Sequence, residues 1–385
     1  MKIVVVGGGF AGVRAALSLS KRSGNQVILM ANRPCFEYHA ALYRTLTGRS
    51  VLEVSVPLSR IFGRKPVDVV EDSAKTIDVK AKVIIGQSGR SYSYDVAVLA
   101  PGNVTAYFGI EGLAEYSYSL KTVDDALRLR NHLHHALVSG DVDLNYVVVG
   151  AGPSGVELAG EMVAYLKRIR KRHMVERSFN VSLVEAAPRV LPSLTEEVSR
   201  RATKRLKAIG VKVFTNTAVR AETANDLQLP EGSIKTHTVI WTAGVTGNPF
   251  FTDNPDVFKL SKKGGRVVVD NKLRAAKNVF VIGDSADTPE SGWAQTAIYD
   301  ANFISKVIAG RNPTYKPPKP IGAIPIGGRW CIVSGRLRVF WGYPGWLARR
   351  WLDWSIFSHV LPSRLAIKSW VYGTKREENC EVCSH

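Results

Sequence analysis

The stretch Ile3-Val4-Val5-Val6-Gly7-Gly8-Gly9-Phe10-Ala11-Gly12 stands near the start of the chain. Tyr146-Val147-Val148-Val149-Gly150-Ala151-Gly152-Pro153-Ser154-Gly155 repeats its pattern. Each is an apolar run of strand type, then Gly-x-Gly-x-x-Gly, then a helix-like stretch. The first glycine of such a motif permits a tight turn out of the strand. The second lets a pyrophosphate approach the backbone, and the third lets the helix pack against the sheet. Free N–H groups and the positive dipole end of the helix then face the phosphates. One motif predicts one dinucleotide. Two predict a protein that holds two dinucleotides and moves electrons between them.

At the first motif, Gly7, Gly9 and Gly12 take these roles, with Phe10 and Ala11 at the helix start. The helix is expected over roughly 11–20, with Val13, Ala16, Leu17 and Leu19 available for packing. The next strand, Gln26-Val27-Ile28-Leu29-Met30, should end in an acid for an adenosine ribose. Ala31, Asn32 and Arg33 stand there instead, so Asn32 is the candidate for a neutral ribose hydrogen bond. The second motif matches fully: Gly150, Gly152 and Gly155, with Pro153 and Ser154 opening the helix. Its following strand, Val181-Ser182-Leu183-Val184, ends in Glu185. A carboxylate there accepts from a ribose 2′-OH and repels a 2′-phosphate, which favours NADH over NADPH. Glu157 reads either as a first-turn carboxylate that favours the helix dipole or as a polar contact at the nicotinamide end.

Three further strand-and-turn runs organise the chain. They are Asp95–Gly102 with Ala100 and Gly102 in its turn, Thr238–Gly244 with Ala243 and Gly244, and Asn278–Ala286 with Gly283-Asp284. The last commonly places a carboxylate on a flavin ribityl chain. The expected fold class is α/β, with two Rossmann-like dinucleotide-binding domains, the second inserted in the first. The division reads as 1–110 and 255–320 for the first dinucleotide-binding domain, 111–254 for the second, and 321–385 for a C-terminal amphipathic helical membrane-association segment.

At 385 residues, the chain is long enough for two to three domains. Its net charge of +19 calls for an anionic partner. No nucleic-acid module is visible, so nucleic acid is not expected to be that partner. Cys35, Cys331, Cys380 and Cys383 form no disulfide framework of secreted type. No signal peptide and no spanning run of apolar residues is read, and the expectation is an intracellular chain in a reducing compartment.

Together these residues resemble the two-dinucleotide-binding flavoprotein superfamily, and within it the type II NADH dehydrogenases, the single-subunit NADH:quinone oxidoreductases. The resemblance runs over nearly the whole chain. It rests on Val156-Glu157-Leu158-Ala159-Gly160-Glu161, Val239-Ile240-Trp241-Thr242-Ala243-Gly244-Val245, Val281-Ile282-Gly283-Asp284, Leu42-Tyr43 with Thr47-Gly48, Ala294-Gln295-Thr296-Ala297 and a Trp-rich tail. It implies non-covalent FAD on Gly7, Gly9, Gly12 and Asp284, with Ala294, Gln295 and Thr296 beside the isoalloxazine. It implies NADH on Gly152, Gly155 and Glu185, with Glu157 near the nicotinamide, and a two-electron, non-proton-pumping reduction of a membrane quinone. The family's quinone-site motif Ala-Gln-x-x-x-Gln has Tyr299 in place of its second glutamine, where a phenol still donates a hydrogen bond and stacks. Glu157, Gln295 and Tyr299 are thus the candidate catalytic residues. A helix starting near Gln295 would aim its dipole at the flavin pyrimidine edge.

Disulfide reductases of the superfamily need a close cysteine pair behind the first motif, where only Cys35 stands. Sulfide:quinone oxidoreductases need mid-chain cysteines, and none lies between Cys35 and Cys331. Quinone reduction needs no thiol. Cys35 and Cys331 read as ordinary small buried residues. Cys380 and Cys383 read as a flexible tail, or as half of a metal site that would need a partner chain. The competing functions are a soluble NADH oxidase or reductase with another acceptor, and a flavin-bearing redox sensor that is not an enzyme.

Six of the eight tryptophans lie in the last 60 residues, and residues 311–376 hold twelve Lys or Arg against one acid, Asp353. A helix over 345–360 would put Leu347, Trp351 and Trp354 on one face, with Arg349, Arg350 and Asp353 to one side. Pro362 ends it, and Ser363 is positioned to cap a second helix. Rings at headgroup depth and arginines on anionic lipid make this a monotopic membrane foot on the cytoplasmic face. Two other readings stand beside it: a homodimer interface, where Trp and Arg are also enriched, and helices that simply cover the core. A basic run, Lys167–Arg172, reads as a solvated face that also suits steering of anionic NADH.

Overall fold

The computed structural model describes residues 1–139, 144–262, 264–335 and 338–377. The valine-rich runs form strands because β-branched side chains fit a pleated, buried surface. The first such strand, β1 (Lys2–Val6), leads through the glycine turn into α1 (Phe10–Leu19). Then come β2 (Gln26–Ala31), α2 (Leu42–Leu46), β3 (Val67–Glu71) and β4 (Val96–Leu99). The second unit runs β5 (Asn145–Val149), α3 (Pro153–Arg172), β6 (Asn180–Val184), β7 (Val211–Phe214) and β8 (Thr238–Trp241). The chain returns through β9 (Arg274–Ala276), β10 (Val279–Val281) and α4 (Ala294–Ile308), and finishes with α5 (Tyr343–Val360) and α6 (Ser363–Tyr372).

One sheet has six strands in the order β9-β10-β4-β1-β2-β3. All its neighbours are parallel except β9 with β10. The other sheet has four parallel strands in the order β7-β6-β5-β8. Strand order reverses at β1 in the first sheet and at β5 in the second. Ligands of open α/β sheets sit at such reversals, outside the carboxyl ends of the strands. Both glycine motifs lie there. The first sheet draws strands from both sides of the second in sequence. The two segments that cross between them pair with each other, Asn103–Thr105 antiparallel to Val245–Gly247.

Ile3, Val4, Val5 and Val6 are buried on both faces, as are Tyr146, Val147, Val148 and Val149. A parallel sheet covered by helices on both sides requires this. A third, antiparallel sheet of Gly322–Pro325, Cys331–Ser334 and Val339–Gly342 carries α5 against it. The helices α5 and α6 pack on each other, and α5 also touches α1 and α4. The α6 helix starts at Ser363 itself, with Pro362 in the cap position and no side-chain cap bond, so Ser363 does not cap it. Among the described residues no helix is long and apolar enough to cross a membrane. Cys380 and Cys383 lie outside the described residues.

Candidate dinucleotide cleft and its buried charge chain

The two glycine turns share one backbone pattern. Gly7 has φ +111° and Gly150 φ +99°, a region that favours glycine. A Cβ on Gly7 would lie 2.1 Å from the Ala100 carbonyl oxygen, and one on Gly150 would lie 2.6 Å from Ala243 Cα. Each turn is therefore pressed against the end of the neighbouring strand. A Cβ on Gly12 would meet the Gly7 oxygen at 1.9 Å, and one on Gly155 the Gly150 oxygen at 1.8 Å. These glycines let helix and turn touch. Gly9 and Gly152 differ: no atom lies within 4 Å of where their Cβ would be. Both are extended, at φ −83° and φ −69°, and each precedes a helix without a side-chain cap bond. Each helix start thus offers N–H donors toward open space, a cradle for phosphate oxygens.

A cleft of about 740 Å³ runs from the first cradle. Gly7, Gly9, Phe10, Ala11 and Asn32 line it, with Ala100, Gly102, Gly283, Asp284 and Ala294 farther along. Ser154, from the second motif, lines the same cleft. The two sites therefore open toward one another. Asn103 donates to Asp284 across 3.4 Å. Burial pushes the Asp284 carboxyl above the usual range, against the pull of Arg266 and Lys121. Asp300 anchors this turn: it accepts from the Gly283 N–H at 3.0 Å and the Tyr315 hydroxyl at 2.8 Å, and burial raises it to about 7. Thr296 Oγ1, in the first turn of α4, is buried and without a hydrogen-bond partner.

In the second site Glu185 accepts from the Ala151 N–H at 2.6 Å and the Ala187 N–H at 2.8 Å. Its carboxylate is thereby fixed beside the glycine turn. Gly244 is covered by the ring of Phe108, whose nearest atom lies 2.4 Å from a Cβ built there. Phe108 is exposed, with φ +55°, and sequence reasoning did not find it because a single aromatic in a loop carries no pattern.

Other expected residues are placed differently. Gln295 does not face the cleft. Its amide pairs both ways with the Ile321 backbone, at 3.0 and 3.2 Å. The Tyr299 hydroxyl accepts from the Lys316 N–H at 3.2 Å, and its ring packs on Phe303 and Tyr315. Both side chains address the 315–321 segment. Cys35 is half-buried and lines the cleft rather than the core. Cys331 is buried, and burial pushes its thiol up to about 12. The basic run ends α3, whose 20 residues span about 30 Å, so it stands far from the cradle it was expected to serve. Arg168 donates to the Thr47 carbonyl, and Arg170 lies over Phe179. These cations stabilise the helix's negative end.

The largest departure concerns Glu157 and the tail arginines. Arg349, Arg350 and Asp353 face the protein, not lipid, and all three are buried. Asp353 Oδ1 accepts from Tyr38 at 2.9 Å and Arg349 at 3.0 Å, and Oδ2 accepts from Arg44 at 2.8 Å. Arg44 also binds Glu53, and Arg349 reaches Glu157 at 3.2 Å. A chain Glu53–Arg44–Asp353–Arg349–Glu157 thus runs from the first unit through α5 to the helix of the second. Burial pushes Glu157 up to about 7, with Arg349 and Arg44 opposing. Burial alone would also raise Asp353, but Arg349 and Arg44 outweigh it and hold that carboxyl below the usual range.

The pyridine nucleotide-disulphide oxidoreductase family matches residues 1–301. The type II NADH:quinone oxidoreductase Ndh of Mycobacterium tuberculosis is 30% identical over 82% of this chain and 75% of its own length. Its counterpart NdhA from the same organism is 31% identical over 91% and 82%. Among solved structures, NDH2 from Plasmodium falciparum in complex with NADH superposes with a TM-score of 0.87 at 17% identity, covering 97% of each chain. The sulfide:quinone oxidoreductase of Aquifex aeolicus gives 0.77 at 20% identity, covering 99% and 98%. The chain belongs to the pyridine nucleotide-disulphide oxidoreductases. Within that class it belongs to the type II NADH:quinone oxidoreductase family.

Proposed function

We propose that this chain binds FAD in the first cleft and NADH at the second motif, and passes two electrons from NADH to a membrane quinone without pumping protons. The observation that carries this is the shared cleft: Ser154 of one motif lines the space that begins at Gly7 and Gly9 of the other. The proposed domain division is 1–110 with 255–320 for FAD, 111–254 for NADH, and 321–385 for the membrane segment. Bound there, FAD supplies the redox chemistry that links a hydride donor to a quinone.

The chain's own residues do the positioning. Gly9 and the α1 start hold a pyrophosphate, and Asp284 accepts from ribityl hydroxyls, which also offset its burial. Asn32 stands at the adenosine ribose, where Ala31 supplies no carboxylate. Glu185 selects the 2′-OH of NADH. The α4 start, with Ala294 on the cleft, directs its positive end at the flavin, where negative charge develops on reduction. Gln295 and Tyr299 lie one helical turn apart on α4 and form the quinone-facing side together with the 315–321 segment.

The test is an anaerobic titration. Purified protein should show a flavin spectrum, bleach on addition of NADH, and recover its colour with a soluble quinone analogue. Colourless protein that takes up no FAD would end this reading. Bleaching without recovery would favour another acceptor or a redox sensor.

We further propose attachment to an anionic membrane through α5 and α6. Leu347 and Trp351 on α5, and Ile367 and Val371 on α6, are exposed large apolar residues, beside the exposed cations Arg364 and Lys368. Trp354 is half-buried against Trp370 and belongs to the core side. Deleting the tail is not a clean test, because it would also remove Arg349 and Asp353 from beneath Arg44. The double variant Trp351→Ser/Ile367→Ser should instead keep its flavin and float with anionic vesicles at least about a hundredfold more weakly, since each side chain contributes about 1.5–3 kcal/mol on burial. Undiminished flotation would refute the foot.

A further inference from the structure

Arg349 occupies an unusual place. It comes from the C-terminal helix, yet its Nη1 donates to Glu157 Oε1 at 3.2 Å and to the Ala323 carbonyl at 2.6 Å, while its Nε donates to Asp353 at 3.0 Å. The guanidinium is thus held on two sides by groups that do not belong to the second unit. Its third contact is the carboxylate three residues beyond Ser154. Three and four residues apart on a helix is one face, so Glu157 lies one turn below the cleft.

We propose that Arg349 is a positioning residue for Glu157: anchored by Asp353 and Ala323, it holds that carboxyl in one place by a direct hydrogen bond. This deepens the proposed function, since it rests on reading Glu157 as the carboxylate on the nicotinamide side.

The groups facing Glu157 support this division of labour. On its own helix stands Glu161. From α2 come Arg44 and Tyr43, from α5 Arg349 and Asp353, and from the strand Cys331–Ser334 the neutral thiol of Cys331. Burial, Asp353 and Glu161 favour the neutral acid, while Arg349 and Arg44 favour the carboxylate. Arg44 already spends its fork on Glu53, Asp353 and Tyr43. Among the described residues Arg349 is the cation in direct contact with Glu157. A lysine carries the charge but not the planar fork that reaches three acceptors at once.

The experiment uses the full-length holoprotein and the variants R349K, R349M, E157Q and E157Q/R349M. The protonated-carboxyl infrared band, taken as a difference against the matching E157Q form, reports the Glu157 titration directly. Loss of a cation at hydrogen-bond distance should raise its midpoint by roughly one to three pH units in R349M, and by less in R349K. In single-turnover reduction by NADH, the acid limb of the pH profile should move upward by the same amount. E157Q/R349M should be no slower than E157Q. Should R349M fail to fold, R349K and the double variant, which buries no unpaired carboxylate, carry the test. An unmoved infrared midpoint with a lower melting temperature would overturn the proposal and leave Arg349 as a structural tie. A moved midpoint with unchanged reduction kinetics would uphold the positioning and instead remove Glu157 from the nicotinamide side.

Discussion

Replacing Gly152 with valine is expected to leave the protein folded, with its flavin in place, and to slow flavin reduction at a fixed, subsaturating NADH concentration by roughly a hundredfold or more. Gly152 is extended at φ −69°, which any residue adopts, and no atom lies within 4 Å of its missing Cβ. The protein itself therefore does not object to a side chain. The pyrophosphate does, because the branched side chain would occupy the cradle. Losing two hydrogen bonds to a charged group costs about 3–6 kcal/mol, and each 1.4 kcal/mol is about a factor of ten. Gly155→Ala should behave in the opposite way. Its methyl would meet the Gly150 oxygen at 1.8 Å and the Thr242 hydroxyl at 2.7 Å, so the α3 start must move from the sheet and the melting temperature should fall. Gly9→Val is the matching change in the first site, and should give stable, colourless protein. Stopped-flow reduction, absorbance and thermal melting separate the three. Reduction of Gly152→Val at the wild-type rate would remove the second motif from NADH binding.

The features these variants touch were legible in the sequence because they are local. A strand, a glycine turn and a helix start within about a dozen residues, and the turn chemistry demands glycine at fixed positions. The two runs that opened the reading became β1–α1 and β5–α3 with ends shifted by one or two residues. Ser154 on the first cleft then joined the two sites, which no local pattern states. The tail shows where local reading stops. Arginines among tryptophans look like a surface, and Leu347 and Trp351 are indeed exposed. Yet Arg349 and Asp353, on the other face of α5, are buried against Tyr38, Arg44 and Glu157. Their partners lie about 200 to 300 residues away, so helical spacing alone could not say whether that charged stripe met water or counter-charge. The pairing of Gln295 was hidden for a related reason: its backbone partner Ile321 follows a proline-rich segment with no periodicity to read.

Replacing Asp353 with leucine is the change expected to destabilise the protein most. Leucine leaves no cavity and suits a helix, so neither cavity nor propensity dominates. The effect comes from charge. Asp353 is fully buried and holds Arg44, Arg349 and Tyr38 with two oxygens. Without it two buried guanidinium groups share only the carboxylates at the ends of the chain, Glu53 and Glu157. Breaking a buried pair by removing one partner costs about 3–5 kcal/mol, which in a chain of this size lowers the melting temperature by roughly 5 °C. Trp351→Ser, two residues earlier but 66% exposed, should shift it far less. The pH dependence gives a second check. Arg349 and Arg44 hold the Asp353 carboxyl below its unfolded value near 4. A group lowered on folding contributes its stability fully above the unfolded value and loses it as pH falls through the folded one. The contribution of the Asp353 carboxylate itself should therefore be full above pH 5 and vanish only in stronger acid, while the gap between wild type and Asp353→Leu narrows somewhat from pH 4.5 to 7, because Asp353 also helps to raise Glu157. Glu157 runs the other way. Raised to about 7, it favours the folded state most below pH 4.5 and progressively less up to 7. The advantage of Glu157→Gln over wild type should thus grow across that window. A constant Glu157→Gln difference, or an Asp353 gap that closes by pH 6, would mean that the chain from Glu53 to Glu157 is not electrostatically connected.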